Sequence, residues 1–430
     1  MERTHIKSIK QKIGEKITIK GFVETIRQQG SIAFLIIRDV TGRAQVVVLK
    51  SHTEAFDTCK TLTLESVVCI TGLAKEEKQA PNGFEIEAEE IMVLSLASPE
   101  LPIPVVFEKG GEETDAPKRF DYRWIDLRKD ERINIFKVWT ELEKGVRKYT
   151  EENNFIQVYA PSFMGVPSES GAEVFEVNYF DRKAYLAQSP QFYKQMAMAA
   201  GFEKVFITGP IFRAEPSYTT RHMTEFTGWD FELSYIESHH DVMDELEKFL
   251  ISGFEQVNKT VLPELEIPKR PFPRVTMKEA KELLRAKGIS GEKDYDVSPE
   301  EERELGRLIK EQTGSDFVFL IDYPANGRAF YHMRYPDQPD ITKGFDLIYK
   351  GLEIVTGAQR EHRYEVLEKQ AKEKGMDVES LRGYMDFFKY GCPPHGGVGI
   401  GPGRIIMQML DLPSVKEATL LPRDVKRINP

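Results

Sequence analysis

The sequence predicts an α+β protein with an N-terminal five-stranded β-barrel and a larger C-terminal domain, whose mixed, largely antiparallel sheet is flanked by helices. Two observations support this prediction. Residues 17–96 consist of short β-rich segments with a single helical piece among them. Beyond a proline- and glycine-containing break, long helical segments alternate with strands that tight loops join, which favours an antiparallel sheet over a doubly wound one.

The N-terminal barrel is assigned to residues 1–104. Its β-rich segments are ITIKGFVET, SIAFLIIRDV, AQVVVLK, SVVCITGLA and GFEIEAEEIMVL, and a helical piece near residues 51–60 precedes the fourth segment. Five strands with one intervening helix favour a small closed barrel of the OB type. Barrels of this type commonly bind oligonucleotides, so a nucleic-acid partner is the first functional expectation.

Prolines and glycines within residues 98–117 interrupt both strand and helix periodicity, which predicts a linker, assigned to residues 105–130. The second domain is assigned to residues 131–430. It opens with a long helical segment at 133–153 and continues with helices and strands in alternation. We therefore expect the chemistry of the protein to lie on this second sheet.

The composition limits the classes of function. The chain has 430 residues, 40% hydrophobic and 30% charged, and a formal net charge of -10, so any contact with RNA must be local. Cys59, Cys69 and Cys392 lie too far apart for a zinc site or a disulfide framework. No apolar segment of about 18 residues and no signal peptide is recognised, so a cytoplasmic protein without a membrane partner is expected.

A hairpin that is rich in charged residues is the first candidate site. The strand-like segments KVFITGPIFRAE and MTEFTGWDFELSYIE flank the polar segment PSYTTRH. The charged and aromatic residues of this hairpin are Arg213, Glu215, Arg221, His222, Glu225 and Phe226. Guanidinium groups bind phosphate oxygens in a bidentate fork and an aromatic ring stacks on a base, so the hairpin suits a nucleoside triphosphate. A surface hairpin with paired charges explains the same residues about equally well.

Two carboxylates occur in the second candidate, GFDLIYKGLEIV. A two-residue turn at Tyr349 and Lys350 would place Asp346 directly opposite Glu353, and facing like charges destabilise a sheet. A divalent cation between them would remove the conflict, and Mg²⁺ is commonly held by one or two carboxylates plus substrate phosphates. A one-residue change of register would turn one of the carboxylates to the other face.

The third candidate is the glycine-rich segment GGVGIGPGRIIMQML. Its glycines would let the backbone approach a ligand, and Pro402 suits the start of a helix. Arg404 would then lie in the first helical turn, in a position to meet an anion. The same glycines also suit tight packing without any ligand.

In this order, the three segments resemble the signature regions of class II aminoacyl-tRNA synthetases. NNFIQVYAPSF is similar to the first motif of that family, FRAEPSYTTRHMTEF to the second and GVGIGPGRIIM to the third. Over essentially the whole chain the resemblance is to aspartyl-tRNA synthetases of the archaeal and eukaryotic kind, through ESGAEVF, LAQSPQFYKQ, FDLIYKGLEI, GAQREHR, GCPPHGG and LPRDVKRINP. The resemblance implies an anticodon-binding OB-type barrel followed by a class II synthetase catalytic domain.

The resemblance also implies a site for ATP and Mg²⁺. Arg213 would bind the α-phosphate, Arg221 and His222 the outer phosphates, and Phe226 and Arg404 would lie on the two faces of adenine. Arg213 and Arg404 would be the catalytic residues. The implied ATP-binding set is Arg213, Glu215, Arg221, His222, Phe226, Glu353 and Arg404, and the implied Mg²⁺ ligands are Asp346 and Glu353.

Further positions match the family's sites for aspartate, tRNA and a second subunit. Lys194 and Arg360 would hold the side-chain carboxylate of aspartate, and the remaining residues would surround its ammonium group. The full aspartate set is Glu169, Ser189, Gln191, Lys194, Asp230 and Arg360. The residues that would read the anticodon are Phe34, Gln45 and Glu85, and Pro161 would lie at the interface of a homodimer. Alone, Phe34 would equally suit a strand core, and Lys194 would equally suit a surface-directed lysine on a helix.

Two positions depart from the family pattern. Gly403 stands where the third motif normally has glutamate just before its arginine, which puts the orientation of Arg404 in question. Asn154 stands where glycine is usual in the first motif, a milder change because asparagine tolerates left-handed backbone geometry.

The implied reaction joins aspartate to the 3′ end of tRNA through an aspartyl-adenylate. Three alternatives stay open: an asparaginyl-tRNA synthetase, a paralogue that makes a free amide from the adenylate, and a catalytically inactive RNA-binding homologue. Lys194 argues against the first and the barrel against the second, whereas Gly403 alone favours the third. Charging of asparagine-accepting tRNA is also left open, because Pro81 resembles relatives of relaxed specificity and Glu24 matches neither type.

Overall fold

The computed structural model describes residues 2–106, 112–167 and 173–429. The chain divides into two compact units, the first ending at Asp126 and the second beginning at Leu127. This division falls within the segment 105–130 that the sequence analysis assigns to a linker.

The first unit is a closed five-stranded barrel, as predicted. Its elements are β1 (Lys16–Gln29), β2 (Ile32–Asp39), β3 (Gly42–Leu49), α1 (Thr53–Thr61), β4 (Val67–Glu76), β5 (Phe84–Ser95), α2 (Ala116–Asp121) and α3 (Arg123–Asp126). The strand order is β1-β2-β3-β5-β4, and β3 pairs with β5 in parallel while the other pairs are antiparallel. Alternate residues such as Leu35, Val46 and Ile70 are fully buried and fill the barrel, as the period of two in a strand requires.

The second unit is built on an eight-stranded sheet. Its elements are α4 (Asp130–Glu152), β6 (Ile156–Val158), β7 (Phe163–Met164), β8 (Glu176–Tyr179), β9 (Arg182–Leu186), α5 (Gln191–Ala199), β10 (Lys204–Phe212), β11 (Glu225–Ser234), α6 (His239–Thr260), β12 (Arg274–Thr276), α7 (Met277–Arg285), α8 (Pro299–Thr313), β13 (Phe317–Ile321), β14 (Gly344–Tyr349), β15 (Leu352–Gln359), α9 (Tyr364–Glu373), α10 (Arg382–Lys389), β16 (His395–Ile400) and α11 (Pro402–Met409). The strand order is β12-β13-β14-β15-β16-β11-β10-β6, and β7, β9 and β8 form a small separate sheet. The pairs β12–β13 and β10–β6 are parallel and the rest antiparallel, which confirms the predicted mixed sheet.

The two faces of this sheet have different chemistry. Trp229 and Phe231 of β11 are fully buried in the core that the sheet forms with α4 and α6. Asp230 and Glu232 alternate with them and therefore point to the opposite face, where Asp230 meets Lys194 of α5. The polar face of the central strands is thus the face on which the predicted site residues converge. None of the helices in the described ranges has the length and apolar character needed to cross a bilayer.

The predicted register of the β14–β15 hairpin is wrong. Asp346 pairs with Thr356, and Glu353 pairs with Ile348, so the two carboxylates are not directly opposite each other. The turn is formed by Lys350 and Gly351, both with positive φ, one residue later than predicted. A bulge on β15 inserts one extra residue between two consecutive pairs. Because of this extra residue, Glu353 and Thr356 lie on the same face of the strand, and the carboxylates remain diagonal neighbours.

Candidate active site

The hairpin of the second motif forms as predicted. Strands β10 and β11 pair antiparallel from Lys204 to Phe212, and the backbone N–H of Arg213 donates to the carbonyl of Thr224 at 2.9 Å across the base of the loop. The side chain of Arg213 is 44% exposed, and its Nη1 lies 3.7 Å from Glu215 Oε1. Phe226 is half-buried, and Glu225 is exposed. Arg213 is therefore positioned by the hairpin while its guanidinium stays accessible to a phosphate.

Arg221 and His222 lie at the far end of the same loop, near the third motif. The Nδ1 atom of His222 is 2.6 Å from Thr219 Oγ1. Burial lowers the pKa of His222, and the positive charges of Arg404 and Arg221 lower it further. The effect of Arg404 on His222 shows that the fold brings the two motifs together, although the sequence places them about 180 residues apart.

The two predicted metal ligands lie among arginines, Asp346 buried and Glu353 half-buried. Arg328 Nη2 donates to Asp346 Oδ2 at 2.5 Å, while no donor among the described residues reaches Asp346 Oδ1. Burial raises the pKa of Asp346, and the neighbouring charge of Glu353 adds to that rise. Burial also acts on Glu353, but Arg404 and Arg328 outweigh it and leave the pKa of Glu353 below its ordinary value. The pair is thus neutralised in part by internal cations, which the sequence analysis did not foresee.

Arg404 is oriented without the usual glutamate of the third motif. It lies on α11, which begins at Pro402 as predicted, and its Nη1 donates to the carbonyl of Glu353 at 2.9 Å. The same Nη1 lies 3.7 Å from the Glu353 carboxylate. A side chain at Gly403 would meet Val415, whose Cγ2 would lie 3.3 Å from the added Cβ. Strand β15 therefore supplies the contact that holds Arg404.

The predicted aspartate pocket is a buried cluster of two cations and two carboxylates. Lys194 Nζ donates to Asp230 Oδ2 at 2.7 Å and to the carbonyl of Val398 at 2.9 Å, and it lies 3.4 Å from Glu232 Oε2. Arg360 Nε donates to Glu232 Oε1 at 3.0 Å. Lys194 is only 1% exposed, which excludes the alternative of a surface-directed lysine. Both predicted cations therefore belong to the same pocket.

Glycines of the third motif make room for this cluster. On β16, Gly397 pairs with Glu232 and Gly399 pairs with Asp230. A Cβ on Gly397 would lie 2.2 Å from Glu232 Oε2 and 2.1 Å from the carbonyl oxygen of Phe231. Only glycine fits here, because any side chain would displace the carboxylate that holds Arg360.

The remaining predicted aspartate residues divide into three cases. Gln191 is buried, and its Nε2 donates to Gln195 Oε1 at 2.8 Å. Ser189 lies just before α5, where its Oγ accepts from the backbone N–H of Gln191 at 3.3 Å. Glu169 lies outside the described residues.

The predicted anticodon residues share the outer surface of the barrel. Phe34, Gln45 and Glu85 are all half-buried, and Gln45 Nε2 donates to Glu85 Oε2 at 2.9 Å. Their neighbours in sequence, such as Leu35, point into the barrel. Phe34 is therefore not part of the barrel core. Glu24 is buried and accepts from Arg38 at 3.0 Å and from Arg43 at 2.7 Å.

The first motif runs through the edge strand β6. Asn154 has φ +61°, so it does adopt the left-handed backbone for which glycine is usual. Pro161 follows β6 and is exposed. Its neighbours Tyr159 and Phe163 are 73% and 53% exposed. This edge is therefore apolar and accessible in the single chain.

Three charged residues of the site were missed by the sequence analysis. Glu232 shares a strand face with Asp230. The alternation of apolar and acidic residues in WDFEL was the signal that could have found it. Arg328 follows a short 3₁₀ turn and stacks on Tyr323, with its Cζ 3.4 Å from the ring centroid. Glu302 of α8 contacts Arg221. Neither Arg328 nor Glu302 stands in a recognisable motif, and each reaches the site only through the fold.

Comparison with known families assigns most of the chain. Residues 115–425 match the family described as tRNA synthetases class II (D, K and N), and residues 17–94 match the OB-fold nucleic acid binding domain. The chain belongs to the class II tRNA synthetases. It is therefore an enzyme that forms aminoacyl-tRNA, and the predicted fold of both domains is confirmed.

Curated relatives of this synthetase match it over nearly its full length. It is 43% identical to the aspartate–tRNA(Asp/Asn) ligase of Aeropyrum pernix, over 97% of this chain and 96% of the relative. It is 39% identical to the aspartate–tRNA(Asp) ligase of Pyrococcus abyssi, over 100% of both chains.

Solved structures of the family show the same architecture. The asparaginyl-tRNA synthetase of Pyrococcus horikoshii, complexed with asparaginyl-adenylate, superposes with a TM-score of 0.92 at 32% identity and covers 100% of both chains. The aspartyl-tRNA synthetase of Entamoeba histolytica superposes with a TM-score of 0.88 at 34% identity, covering 100% of this chain and 93% of that one. Because both kinds share the fold, the choice between aspartate and asparagine depends on the pocket.

Proposed function

We propose that this synthetase activates L-aspartate with ATP and transfers the aspartyl group from the adenylate to the 3′ end of tRNA(Asp). The observation that carries the proposal is the buried cluster of Lys194 and Arg360 with Asp230 and Glu232. Fixed cations suit the side-chain carboxylate of aspartate, and fixed carboxylates suit its ammonium group. The names of the full-length relatives agree with this assignment.

Chemistry requires no protein nucleophile. The α-carboxylate of aspartate attacks the α-phosphorus of ATP in line, and pyrophosphate leaves. The exposed guanidinium of Arg213 binds the α-phosphate, and Arg404, fixed by the Glu353 carbonyl, lies against the nucleotide. Catalysis then comes from positioning and from stabilisation of the phosphate charge by these cations.

Asp346 and Glu353 fit a magnesium ion that arrives with ATP. The orphaned Oδ1 of Asp346 is a buried acceptor that lacks a donor among the described residues. No group of three or more potential metal ligands occurs in the described part of the chain, and two carboxylates completed by phosphate oxygens are a usual Mg²⁺ arrangement. Mg²⁺ would supply charge neutralisation at the phosphates. Arg328 holds Asp346, and Thr356 holds Glu353 through a 3.0 Å hydrogen bond.

Pyrophosphate exchange with the purified protein tests this proposal. Exchange stimulated by aspartate and not by asparagine is the expected result. Exchange stimulated by asparagine would reassign the enzyme as an asparaginyl-tRNA synthetase, and the absence of any amino-acid-dependent exchange would support the inactive homologue. Formation of charged tRNA then distinguishes the synthetase from the amide-forming paralogue, which makes a free amide from the adenylate instead.

We also propose that asparagine-accepting tRNA is charged. Residues Pro81–Gly83 form a tight turn in which Asn82 has φ +70°, beside the strand that carries Glu85. Asn82 Nδ2 donates to the Arg43 carbonyl at 3.0 Å, and Arg43 is bound to Glu24. This turn and Glu24 occupy the barrel positions that are expected to separate the two anticodons. Charging assays with purified tRNA(Asp) and tRNA(Asn) decide the point, and failure with tRNA(Asn) would reject the broader specificity.

We also propose that the protein is a homodimer in the cytoplasm. Strand β6 ends the sheet, and the exposed Ile156, Tyr159 and Phe163 form an apolar edge around Pro161, which suits pairing with a second copy. Free thiols at all three cysteines suit a reducing compartment. Sedimentation equilibrium is expected to give a dimer for the wild type and a monomer for Phe163→Asp. A monomeric wild type would reject the dimer.

A further inference from the structure

A carboxylate from a distant helix binds the loop arginine of the second motif. Glu302 lies on α8, 81 residues after Arg221. Arg221 Nη1 donates to Glu302 Oε2 at 3.0 Å, and Nη2 donates to Oε1 at 2.7 Å. Glu302 is 2% exposed and Arg221 is largely buried, so this bidentate ion pair is shielded from solvent.

The same carboxylate also contacts the strand of the predicted metal ligands. Glu302 Oε2 accepts the backbone N–H of Glu353 at 2.9 Å. One side chain therefore fixes both Arg221 and the start of β15, where Glu353 and the contact to Arg404 lie. Its neighbour Glu301 has a different task, since it caps α8 and binds Lys281.

The geometry leaves Arg221 able to bind a second anion. An arginine has five N–H donors, and Glu302 occupies only the Nη1–Nη2 end of the guanidinium. The Nε–H on the side edge is buried, and no acceptor among the described residues reaches it. A buried donor without an acceptor is costly. A phosphate oxygen at that edge would satisfy it while the pair with Glu302 stays intact.

We infer that Glu302 is a positioning residue that holds Arg221 ready for the outer phosphates of ATP. This inference rests on the proposed ATP-binding role of Arg221. A different role, in which Glu302 blocks Arg221 until ATP displaces it, predicts the opposite change in affinity. Removal of a positioning carboxylate weakens ATP binding, whereas removal of a blocking one strengthens it.

The test compares ATP with AMP, which lacks the outer phosphates. Glu302→Gln keeps the shape and one acceptor oxygen, and we expect the Kd for ATP to rise about tenfold; Glu302→Ala is expected to raise it further. For Glu302→Gln, the Kd for AMP and the KM for aspartate are expected to stay within about twofold of wild type, because neither ligand reaches Arg221 and the retained amide oxygen can still accept the backbone N–H of Glu353. Titration calorimetry measures the first two constants and pyrophosphate exchange the third.

Matched controls separate this effect from damage to the fold. Glu304→Gln, on the same helix and paired with Arg307 instead, is expected to match wild type in all three constants. If Glu302→Ala does not fold, the single variants Glu302→Gln and Arg221→Gln and the double variant take its place. Losses of ATP affinity that are strongly non-additive then support direct coupling between Glu302 and Arg221.

Two outcomes overturn the inference: an unchanged or lower Kd for ATP, or an equal loss for ATP and AMP. A wild type without aspartate-dependent exchange would instead reject the proposed function, so the two failures are distinguishable.

Discussion

At the scale of a single residue, the proposed choice of aspartate over asparagine depends on Lys194. Aspartate and asparagine have nearly the same shape, so the pocket separates them through charge. Burial raises the pKa of Asp230 even with Lys194 beside it. Burial acts in the same direction on Glu232, but Arg360 and Lys194 outweigh it and keep the pKa of Glu232 below its ordinary value. In the proposed pocket, the lysine thus serves both the substrate and the internal carboxylates.

Substitution Lys194→Met removes the charge and keeps the stem. We expect the KM for aspartate to rise about 10- to 150-fold, because one charge-assisted hydrogen bond is lost. The preference for aspartate over asparagine in pyrophosphate exchange is expected to decrease. The KM for ATP is expected to change little. Pyrophosphate exchange with both amino acids measures these constants, and an unchanged preference would leave the aspartate assignment on Arg360 alone.

The same variant is expected to lose stability. Removing one partner of a buried ion pair leaves Asp230 and Glu232 short of a cation and lowers the free energy of unfolding by about 3 kcal/mol. Lys183→Met is the matched control, because Lys183 is exposed and pairs only at the surface with Glu176. Urea unfolding that is equal for both variants would contradict the buried role of Lys194.

At the scale of elements, the bulge in β15 makes the two predicted metal-binding carboxylates diagonal neighbours, and their surroundings differ. Burial raises the pKa of Asp346 because it disfavours the charged carboxylate, so the neutral isostere Asp346→Asn removes that cost but leaves Arg328 with a weaker acceptor. Glu353 has the opposite shift, because Arg404 and Arg328 favour its charge. Their positions in the strands would suggest the same pKa shift for both residues, whereas the balance of burial against the neighbouring arginines gives them opposite shifts.

Asp346→Asn and Glu353→Gln are therefore expected to differ in stability. Both are expected to abolish magnesium-dependent exchange. The free energy of unfolding is expected to fall by about 1–3 kcal/mol for Glu353→Gln and by less for Asp346→Asn, because removing the cost of burying a charged carboxylate offsets part of the weakened bond to Arg328. Urea unfolding at pH 7 measures both, and equal losses would contradict the assigned pKa directions.

The barrel supports a prediction from strand alternation. Phe34→Ala is expected to slow tRNA charging by about 5- to 150-fold, the effect of losing one stacked base, and to leave aspartate-dependent exchange intact. Leu35→Ala, one residue along and fully buried, is expected to lower the stability of the barrel by about 2–5 kcal/mol instead. A parallel fall in exchange for Phe34→Ala would show that Phe34 is structural.

At the scale of the whole molecule, buried histidines make stability depend on pH. His395 is fully buried on β16, where Nδ1 is 2.8 Å from the carbonyl of Pro393 and Nε2 is 2.9 Å from Gln195 Nε2. The neutral ring thus donates to Pro393 and accepts from Gln195. Burial lowers the pKa of His395 from 6.5 to about 4.

The sign of the pH effect follows from this shift. Between about pH 4 and 6.5 the ring is neutral when folded and protonated when unfolded, so unfolding takes up a proton. The contribution to stability is complete above pH 6.5 and is lost as the pH falls toward 4, in total about 3 kcal/mol. Urea unfolding between pH 7 and pH 4.5 is expected to give a shallower decline for His395→Gln than for wild type. Equal slopes would contradict the buried neutral histidine.

The sequence by itself determined the architecture and most of the site. Strand alternation, turn residues and the glycine-rich run fixed the barrel, the antiparallel sheet and the motif hairpins, because these signals are local and repeat along the chain. Lys194, Asp230 and Arg360 were predicted as site residues because each lies in a recognisable segment, and the structure brings them into one buried cluster.

Tertiary structure alone decided which charges neutralise one another. A glutamate on a helix has the same local pattern whether it faces water or a buried arginine, so nothing near Glu302 marks its contact with Arg221. The β15 bulge likewise left no local signal, and it overturned the predicted facing of Asp346 and Glu353. Burial makes such pairings matter, because a charge removed from water needs a partner that only the packing of distant elements supplies.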